Sequence, residues 1–326
     1  AVGTITVNGG KFYGFNGVNK DGESFIADGY CAKADGDYYV VAAHNHVGTY
    51  TAPTFDADGY TTYVCDRCGN TYVVTDEGTK LTVGATVNGT RYETVADAIA
   101  NANDGDTVVL ATDVNEATEV IVDKKVTVNL NGFDINVPTD TAGNGVFHVV
   151  AGGELTINGE GTINGLGNNP WCMVIWADGG KVVINGGTFT TNAQAGEGSY
   201  GSALNTQAGG TAVVNGGTFI ANSQLTYAIC NYGETIINDA VVKGKHGAVA
   251  AASGADIKTV INGGSFELME NPNVSDHCAY YVSEIKGGKF TLGNNTDSGA
   301  QVFYESTIAE GYKSVQNGDW FEVVEE

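Results

Sequence analysis

The chain has 326 residues, enough for one large domain or two ordinary ones. It contains 47 Gly but only 4 Pro, and 16% of its residues are charged, which favours a β-rich, turn-rich fold over long charged helices. The net charge of −23 disfavours binding to nucleic acid, and no apolar stretch reaches the roughly 18 residues that membrane insertion needs.

Residues 1–43 are predicted to be the end of a preceding β-helix-type unit with a hairpin cap. The run ESFIADGYCAKADGDYYVV at 23–41 matches ESTIAEGYKSVQNGDWFEV at 305–323 at nine positions, and GGKF precedes both runs. The chain therefore opens in the same way as its repeat region closes. Two explanations are open: the chain is one period of a longer tandem array, or it is a fibre segment with a small leading unit.

Residues 44–84 are predicted to form a small β unit with a candidate zinc site. Cys65 and Cys68 are followed by Gly69, and His44 and His46 lie upstream at strand positions that face the same way. These four side chains are ligands that tetrahedral structural zinc takes. The alternative is a reduced or disulfide-linked Cys pair with no metal. A catalytic zinc is not expected, because no acid–base partner accompanies the four residues.

Residues 85–326 contain a repeated motif of the type VINGGTF. With one marker residue per repeat, the successive gaps are 27, 27, 30, 23, 24 and 24 residues. A period in the twenties indicates a solenoid, and the alternating β-branched residues before each marker favour strands. We therefore predict an all-β, right-handed parallel β-helix with coils about 4.8 Å apart. The markers are Asn131, Asn158, Asn185, Asn215, Asn238, Asn262 and Lys286.

Each repeat is predicted to bend at its marker. An Asn there would take the left-handed backbone conformation, and stacked coils would place Asn above Asn so that the amides hydrogen-bond along the axis. In four repeats a Phe follows four residues after the marker, which predicts a stack of aromatic rings inside the solenoid. These residues are Phe189, Phe219, Phe266 and Phe290.

Caps are predicted at both ends of the β-helix, since its terminal strands would otherwise have unpaired edges. The spacing of Thr94 and Asp97 is a capping-box pattern that opens a short helix, with Val95, Ala98 and Ile99 on one face. At the other end, Asn317 and Gly318 are predicted to form the two-residue turn of a closing hairpin.

One strand in several coils is apolar on both faces, as in WCMVIW (171–176), YAIC (227–230) and CAYYV (278–282). In a solitary solenoid each strand has one solvent-exposed face, so something must cover the outer face of the sheet that these strands form. A long loop, a second copy of the chain or a glycan are the three alternatives. In the glycan alternative the binding residues would be Trp171, Tyr232 and Tyr281.

No catalytic residues are predicted. The elimination chemistry of polysaccharide lyases commonly needs a strong base such as Arg, and both arginines, Arg67 and Arg91, precede the repeats. Glycoside hydrolysis needs paired carboxylates, and no motif of that kind is convincing here. His148, in an apolar strand, is interpreted as a satisfied wall residue. A polysaccharide lyase or glycoside hydrolase remains the alternative function.

Two segments resemble known families. The run YTAPTFDADGYTTYVCDRCGNTYV resembles a small repeat of large surface proteins of gut Firmicutes, although Phe55 stands where that family often has Cys. The run from Tyr92 to Asn136 resembles the opening of pectate-lyase-like β-helix modules, which occur in the same surface proteins and in phage fibres. The resemblance implies a non-enzymatic structural or adhesive module, extracellular on a bacterial surface or in a virion. The fold alone hosts enzymes and inert spacers alike.

Overall fold

The computed structural model describes residues 5–18, 24–138, 145–166, 172–191, 201–222, 227–269, 277–293 and 301–326. The chain divides into two compact units, Ala1–Thr82 and Val83–Glu326, here called the N-terminal unit and the β-helix unit. The predicted segments 1–43 and 44–84 both fall within the N-terminal unit, except for residues 83 and 84. The prediction of an all-β fold is confirmed, and the described residues include a single helix.

The N-terminal unit contains two small antiparallel sheets. In the first, β3 lies between β1 and β2, and in the second, β5 lies between β4 and β6. The strands are β1 Gly10–Tyr13, β2 Tyr30–Asp35, β3 Tyr38–Ala43, β4 His46–Thr51, β5 Tyr60–Cys65 and β6 Thr71–Thr75.

The β-helix unit begins with a short antiparallel pair and a helix and continues as short strands in regular succession. In chain order these are β7 Ala85–Val87, β8 Thr90–Tyr92, α1 Val95–Asn101, β9 Asp106–Leu110, β10 Val114–Asn115, β11 Val120–Val122, β12 Lys125–Asn129, β13 Ile135–Pro138, β14 Gly145–Val150, β15 Glu154–Asn158, β16 Thr162–Leu166, β17 Met173–Asp178, β18 Lys181–Ile184, β19 Thr188–Thr191 and β20 Ser202–Thr206. They continue with β21 Thr211–Val214, β22 Thr218–Ala221, β23 Ile229–Asn231, β24 Glu234–Ile237, β25 Val241–Gly244, β26 Val249–Ala251, β27 Lys258–Ile261, β28 Ser265–Leu268, β29 His277–Tyr280, β30 Glu284–Ile285, β31 Gly288–Thr291, β32 Gln301–Tyr304, β33 Tyr312–Asn317 and β34 Trp320–Glu325.

Every third strand belongs to the same sheet, so each coil contributes one strand to each of three sheets. Over the described residues, the first sheet has the order β8-β7-β9-β12-β15-β18-β21-β24-β27-β30, the second β10-β13-β16-β19-β22-β25-β28-β31-β34-β33, and the third β11-β14-β17-β20-β23-β26-β29-β32. Successive coils pair in parallel, as in the register Val126 to Leu155 to Val182. This arrangement is a parallel β-helix, with the apolar core enclosed by the three sheets.

The Asn markers form a column of hydrogen-bonded amides at the corner between the first and second sheets. The side-chain nitrogen of each Asn from Asn185 to Asn262 donates to the side-chain oxygen of the Asn one coil earlier, at 2.7–2.8 Å. The predicted ladder is therefore confirmed over five coils. Its members are Asn158, Asn185, Asn215, Asn238 and Asn262.

The predicted left-handed conformation is confirmed at Asn131, with a φ of 53°, and is wrong for the five Asn residues of the ladder. Among the described residues other than Gly, positive φ angles occur at Asn88, Asn131, Tyr281 and Glu305, none of which belongs to the ladder. In the repeats with an Asn-Gly-Gly sequence the bend is made by the second Gly, with φ of 91° at Gly187, 105° at Gly217 and 111° at Gly264. Gly adopts this conformation without the steric cost that a Cβ atom brings, so the Asn can stay in a conformation that keeps its amide in the column.

Asn131 was also placed wrongly as a marker. In the parallel register Asn129 lies opposite Asn158, two residues before the predicted position. The side chain of Asn131 instead donates to the backbone carbonyl of Leu110 at 3.1 Å. The first full coil therefore bends differently from the later ones, and the amide column starts one coil further along the chain.

The interior aromatic stack is confirmed, with one interruption. The rings of Phe189 and Phe219 stack at 4.8 Å between centroids, and those of Phe266 and Phe290 do the same. Val242 separates the two pairs in the register of the second sheet. All four rings are fully buried, so they contribute both apolar burial and ring stacking to the core.

Both caps are present. Thr94 accepts a hydrogen bond from the backbone nitrogen of Asp97 and so caps α1, which buries Val95, Ala98 and Ile99 as predicted. In the closing hairpin the predicted turn is off by one residue: Asn317 pairs with Trp320, so the two-residue loop is Gly318 and Asp319. The φ of +64° at Gly318 explains the shift, because the first loop position needs a residue without a Cβ.

Glu116 links α1 to the segment after β10 and leads to a prediction about pH. It is 3% exposed and accepts a hydrogen bond from the backbone nitrogen of Val95. Burial raises its pKa, although hydrogen bonds from Val95 and Ala96 oppose the shift. The pKa of Glu116 in the folded protein therefore lies above its unfolded value of about 4.3. The protonated carboxyl contributes to stability below pH 4.3, and this contribution is lost as the pH rises through the folded pKa.

The variant Glu116→Gln is therefore expected to be more stable than wild type at pH 7 and similar to it near pH 4. The amide oxygen keeps the hydrogen bond to Val95 but cannot ionise. Melting temperatures of both proteins, measured from pH 4 to pH 7, check this. Parallel pH profiles for the two proteins would contradict it.

Candidate metal centre

Four side chains of the N-terminal unit converge on one point. Cys31 is the second residue of β2, His44 follows β3, Cys65 ends β5, and Cys68 lies in the turn before β6. Their ligand atoms all lie within 4.8 Å of one another. In the part of the chain that the structure describes, no other group of three or more His, Cys, Asp or Glu side chains converges in this way.

A tight turn holds the pair Cys65 and Cys68 in place. The backbone nitrogen of Cys65 donates to the carbonyl of Asn70 at 2.8 Å, and that of Gly69 donates to the carbonyl of Cys65 at 2.9 Å. Gly69 has a φ of +73°, which explains the Gly after the second Cys. Asp66 binds the backbone and the side chain of Asn45, so the turn is fixed beside His44.

Two distances within the group match the edges of a tetrahedral zinc site. Bonds of about 2.3 Å to sulfur and about 2.05 Å to nitrogen imply edges of about 3.8 Å between two sulfurs and about 3.5 Å between sulfur and nitrogen. The Cys31 and Cys65 sulfurs are 3.8 Å apart, and the Cys68 sulfur is 3.5 Å from Nδ1 of His44. The same sulfur separation exceeds the S–S bond of about 2.05 Å, so these thiols are free.

The site is prepared for a cation by one thiolate. Burial of the Cys65 thiol opposes its ionisation, but hydrogen bonds from the backbone of Cys68, from the His44 ring and from two further backbone groups lower its pKa to about 5. Burial and the two neighbouring thiols raise the pKa of Cys31 to about 12. A negative charge therefore forms more readily on Cys65 than on Cys31, and a bound cation would favour loss of the thiol protons.

Three Cys and one His make a closed site. Thiolate and imidazole are soft and borderline ligands that favour zinc over magnesium or calcium. Four protein ligands fill a tetrahedral shell and leave no position for water or substrate, which is typical of structural zinc. Cys31 and Cys65 are 7% and 1% exposed, whereas Cys68 is exposed, so the ion would sit at the edge of the unit.

His46 does not belong to the group. Its ring stacks against that of His44 at 5.1 Å and meets the edge of Tyr72 at 4.9 Å. The two histidines were expected to face the same way as alternate strand residues. Their rings do lie side by side, but His44 precedes β4, whereas His46 is the first residue of β4 and pairs with Cys65. His46 therefore packs against the His44 ring and lies outside the quartet of Cys31, His44, Cys65 and Cys68.

Cys31 is the ligand that sequence reasoning missed. It lies 34 residues before Cys65, in the segment that matches the end of the chain. In that match its counterpart is Lys313, an exposed residue of β33. A Cys in place of an exposed Lys was the available signal, because a hairpin cap has no need of a buried thiol there.

Of the three predicted glycan-binding residues, the two that the structure describes lie on different coils. Trp171 lies outside the described residues. Tyr232, 45% exposed, follows β23, and Tyr281 follows β29. The strand β26 lies between these two, so the positions are two coils, or about 9.6 Å, apart. Tyr281 packs instead against Tyr280 and Tyr304, with ring centroids at 4.6 and 6.0 Å.

His148 is a satisfied wall residue, as predicted. Its Nε2 lies 3.1 Å from a carboxylate oxygen of Asp178, and its Nδ1 lies 3.5 Å from one of Glu119. The ring stacks on Trp176 at 3.8 Å. Both nitrogens are engaged by carboxylates on neighbouring coils, so the side chain ties three coils together.

Comparisons with protein-family models, with curated proteins and with solved structures found no match to this chain. Among the described residues, no helix is long and apolar enough to cross a bilayer.

Proposed function

We propose that the chain is a non-enzymatic structural and adhesive module of an extracellular surface protein or virion fibre. The supporting observation is that the repeated polar residues bind one another. Each Asn from Asn185 to Asn262 donates its amide to the previous coil, so these side chains stabilise the stack. The resemblance to pectate-lyase-like modules of surface proteins and fibres suggests the same role. A stiff spacer is the function that such a stack serves directly.

A structural zinc ion is part of this proposal. The quartet of Cys31, His44, Cys65 and Cys68 would join both small sheets of the N-terminal unit through one tetrahedral ion. The ion would supply cross-linking and no reaction step, because protein ligands fill all four positions. Removal of the metal with a chelator tests this site.

The polar groups at two places on the β-helix unit support a non-enzymatic role. A shallow cavity of about 610 Å³ lies along the Asn corner, and among its lining residues Glu160 is the one carboxylate. Acid–base hydrolysis of a glycoside requires two. The carboxylates of Glu119 and Asp178 do flank His148, but the ring separates them and engages both. Neither of these two places has a pair of facing carboxylates. Glu119 and Asp123 both line a further cavity of about 380 Å³, where Glu119 also lies against His148.

Partner contacts would use the outer face of the third sheet. The described residues of its apolar segments are already largely covered within one chain, with Tyr227 at 7% and Cys230 at 5% exposure. Near the end of the sheet, Tyr280, Tyr281 and Tyr304 pack together and are half-buried. Aromatic rings of this kind bind sugar rings or a second copy of the chain.

A panel of polysaccharides, scored for retention and for cleavage, tests the function. We expect binding of at least one glycan without release of any product. Replacing Tyr281 with Ala should weaken that binding about five-fold, the effect of losing about 1 kcal/mol of aromatic contact. Tyr50→Ala, which removes an exposed Tyr of the N-terminal unit, is the matched control and should have no effect.

Turnover of any polysaccharide would overturn the non-enzymatic proposal and favour a lyase or hydrolase. Absence of glycan binding, together with a dimeric or trimeric mass in solution, would assign the aromatic face to a second copy. Equal losses in the Tyr281 and Tyr50 variants would show that the binding does not use the third sheet.

A further inference from the structure

The N-terminal unit begins with a structural copy of the last coil and cap of the β-helix. In the cap, β31 pairs with β34 in a register that sets Gly288 opposite Val323, and β34 pairs with β33 across the two-residue loop. In the N-terminal unit, β1 pairs with β3 with Gly10 opposite Val41, and β3 pairs with β2 across a loop of the same length. The duplicated sequence therefore adopts a duplicated structure.

The backbone hydrogen bonds outside the strands repeat as well. Ala309 donates to Ile285 at 2.9 Å, and Ala27 donates to Val7 at the same distance. An isolated parallel bridge joins Ile285 to Ile308, and its counterpart joins Val7 to Ile26. Residues 5–43 are therefore the counterpart of residues 283–325, position by position outside the connecting loop.

The two copies differ on one side. In the β-helix, β30 and β31 pair in parallel with β27 and β28 of the coil before. In the N-terminal unit, Val7 and β1 occupy the same positions, and among the described residues β1 pairs only with β3. The side chains show the same difference: Phe290 is fully buried, whereas its counterpart Phe12 is half-buried and Tyr13 is 73% exposed. We call residues 5–13 the open edge.

Gly9, in the open edge, is sterically required only if another coil packs against it. Gly287 lies against the coil before it, where an added Cβ would come within 2.3 Å of the carbonyl oxygen of Asn262. Its counterpart Gly9 has a φ outside the left-handed region, and the nearest atom to an added Cβ is the carbonyl oxygen of Val41 at 4.0 Å. The open edge thus keeps a residue that only close approach of a neighbouring coil requires.

We propose that the open edge is a docking site for the last coil of another β-helix unit of this kind, joined in tandem. The occupant would present strands equivalent to β27 and β28, with an Asn-Gly-Gly corner like that at 262–264 and a Phe at the position of Phe266. Asn8, the counterpart of Lys286, would then extend the amide column of that unit. The interface is the one already present between coils 258–268 and 284–291 of this chain.

A fusion protein tests this proposal. Residues 83–278 are joined directly to Ala1 of the full chain. Val7 then follows residue 278 at the same sequence separation as Ile285 does in the native chain. The backbone nitrogens of Lys286 and Lys289 donate to Ile261 and Gly264 of the previous coil. Their counterparts, the amides of Asn8 and Lys11, are expected to exchange hydrogen at least about 100-fold more slowly in the fusion than in the chain alone.

Two controls make the result specific. In a fusion of residues 83–326 to Ala1, the added unit already carries its own cap, so the amides of Asn8 and Lys11 should stay unprotected. Gly9→Ala should abolish protection in the first fusion but leave the melting temperature of the chain alone unchanged, since its Cβ has space there.

Unprotected amides in the first fusion, or proteolysis of its added unit, would overturn the proposal. Protection of the same amides in the chain alone at high concentration, with a doubled mass, would overturn it too, because a second copy would then be the occupant. The proposal depends on the β-helix geometry and on neither the zinc site nor the absence of catalysis, so each can fail separately.

Discussion

Removing zinc with a strong chelator is expected to unfold the N-terminal unit and to leave the β-helix unit folded. The N-terminal unit has almost no apolar core: among its described residues, the buried apolar side chains are Cys31, Val41 and Cys65. Two of these three are ligands of the quartet. Structural zinc contributes about 10–16 kcal/mol in small zinc domains, which is enough to decide whether such a unit folds.

The two units can be followed separately. All three tryptophans, at 171, 176 and 320, lie in the β-helix unit, so their fluorescence reports on that unit alone. Hydrogen exchange of peptides from 24–82 reports on the N-terminal unit. We expect one zinc per chain, fast exchange in these peptides after chelation, and unchanged tryptophan emission.

The variants His44→Ala and His46→Ala form a matched pair for the same site. Both remove an imidazole from adjacent positions, but only His44 belongs to the quartet. His44→Ala and Cys31→Ser should each lose the zinc, whereas His46→Ala should retain it. If the His46 variant lost zinc and the Cys31 variant retained it, the ligands would be those predicted from the sequence: His44, His46, Cys65 and Cys68. An apo protein as resistant to exchange as the zinc form would refute a structural metal.

Truncating Phe266 to Ala is expected to lower the free energy of unfolding of the β-helix unit by about 3–5 kcal/mol. This is the usual cost of deleting a fully buried Phe, and here the stack with Phe290 is lost as well. Neighbouring coils are held at the strand spacing by backbone pairing, so they cannot collapse into the cavity.

Urea denaturation followed by tryptophan fluorescence measures this loss as a shift of the midpoint at unchanged slope. Ile121→Ala is the control: this residue, on the third sheet, is 48% exposed, and its truncation should cost less than about 1 kcal/mol. A loss below about 1.5 kcal/mol for Phe266→Ala would mean that the interior stack contributes little to stability.

The architecture of the β-helix unit was predictable because its interactions are periodic. Each coil meets a nearly identical coil at a constant spacing, so the residues that stack recur in the sequence at the length of one coil. Phe189 and Phe219 are 30 residues apart in sequence and in direct contact. The repeat therefore predicts the contact.

Details of the corners were not predictable in the same way. Both Asn and Gly tolerate the left-handed conformation, and the motif places them side by side. The structure assigns the bend to Gly187 and its equivalents and leaves the Asn amides to the column, because the column requires a fixed side-chain direction. The one-residue shift of the loop at Gly318 has a similar origin, since strand pairing on both sides decides which two residues form the turn.

The sequence by itself determined the coil, its period and its interior, since equivalent residues of successive coils bind each other and their spacing is visible along the chain. Only the tertiary structure decided the metal quartet and the open edge. Cys31 reaches Cys65 through the pairing of strands in a unit without repeats, so no period relates the two residues. Whether an edge is paired or open depends on what lies beside it, which identical sequences at 9–12 and 287–290 do not reveal.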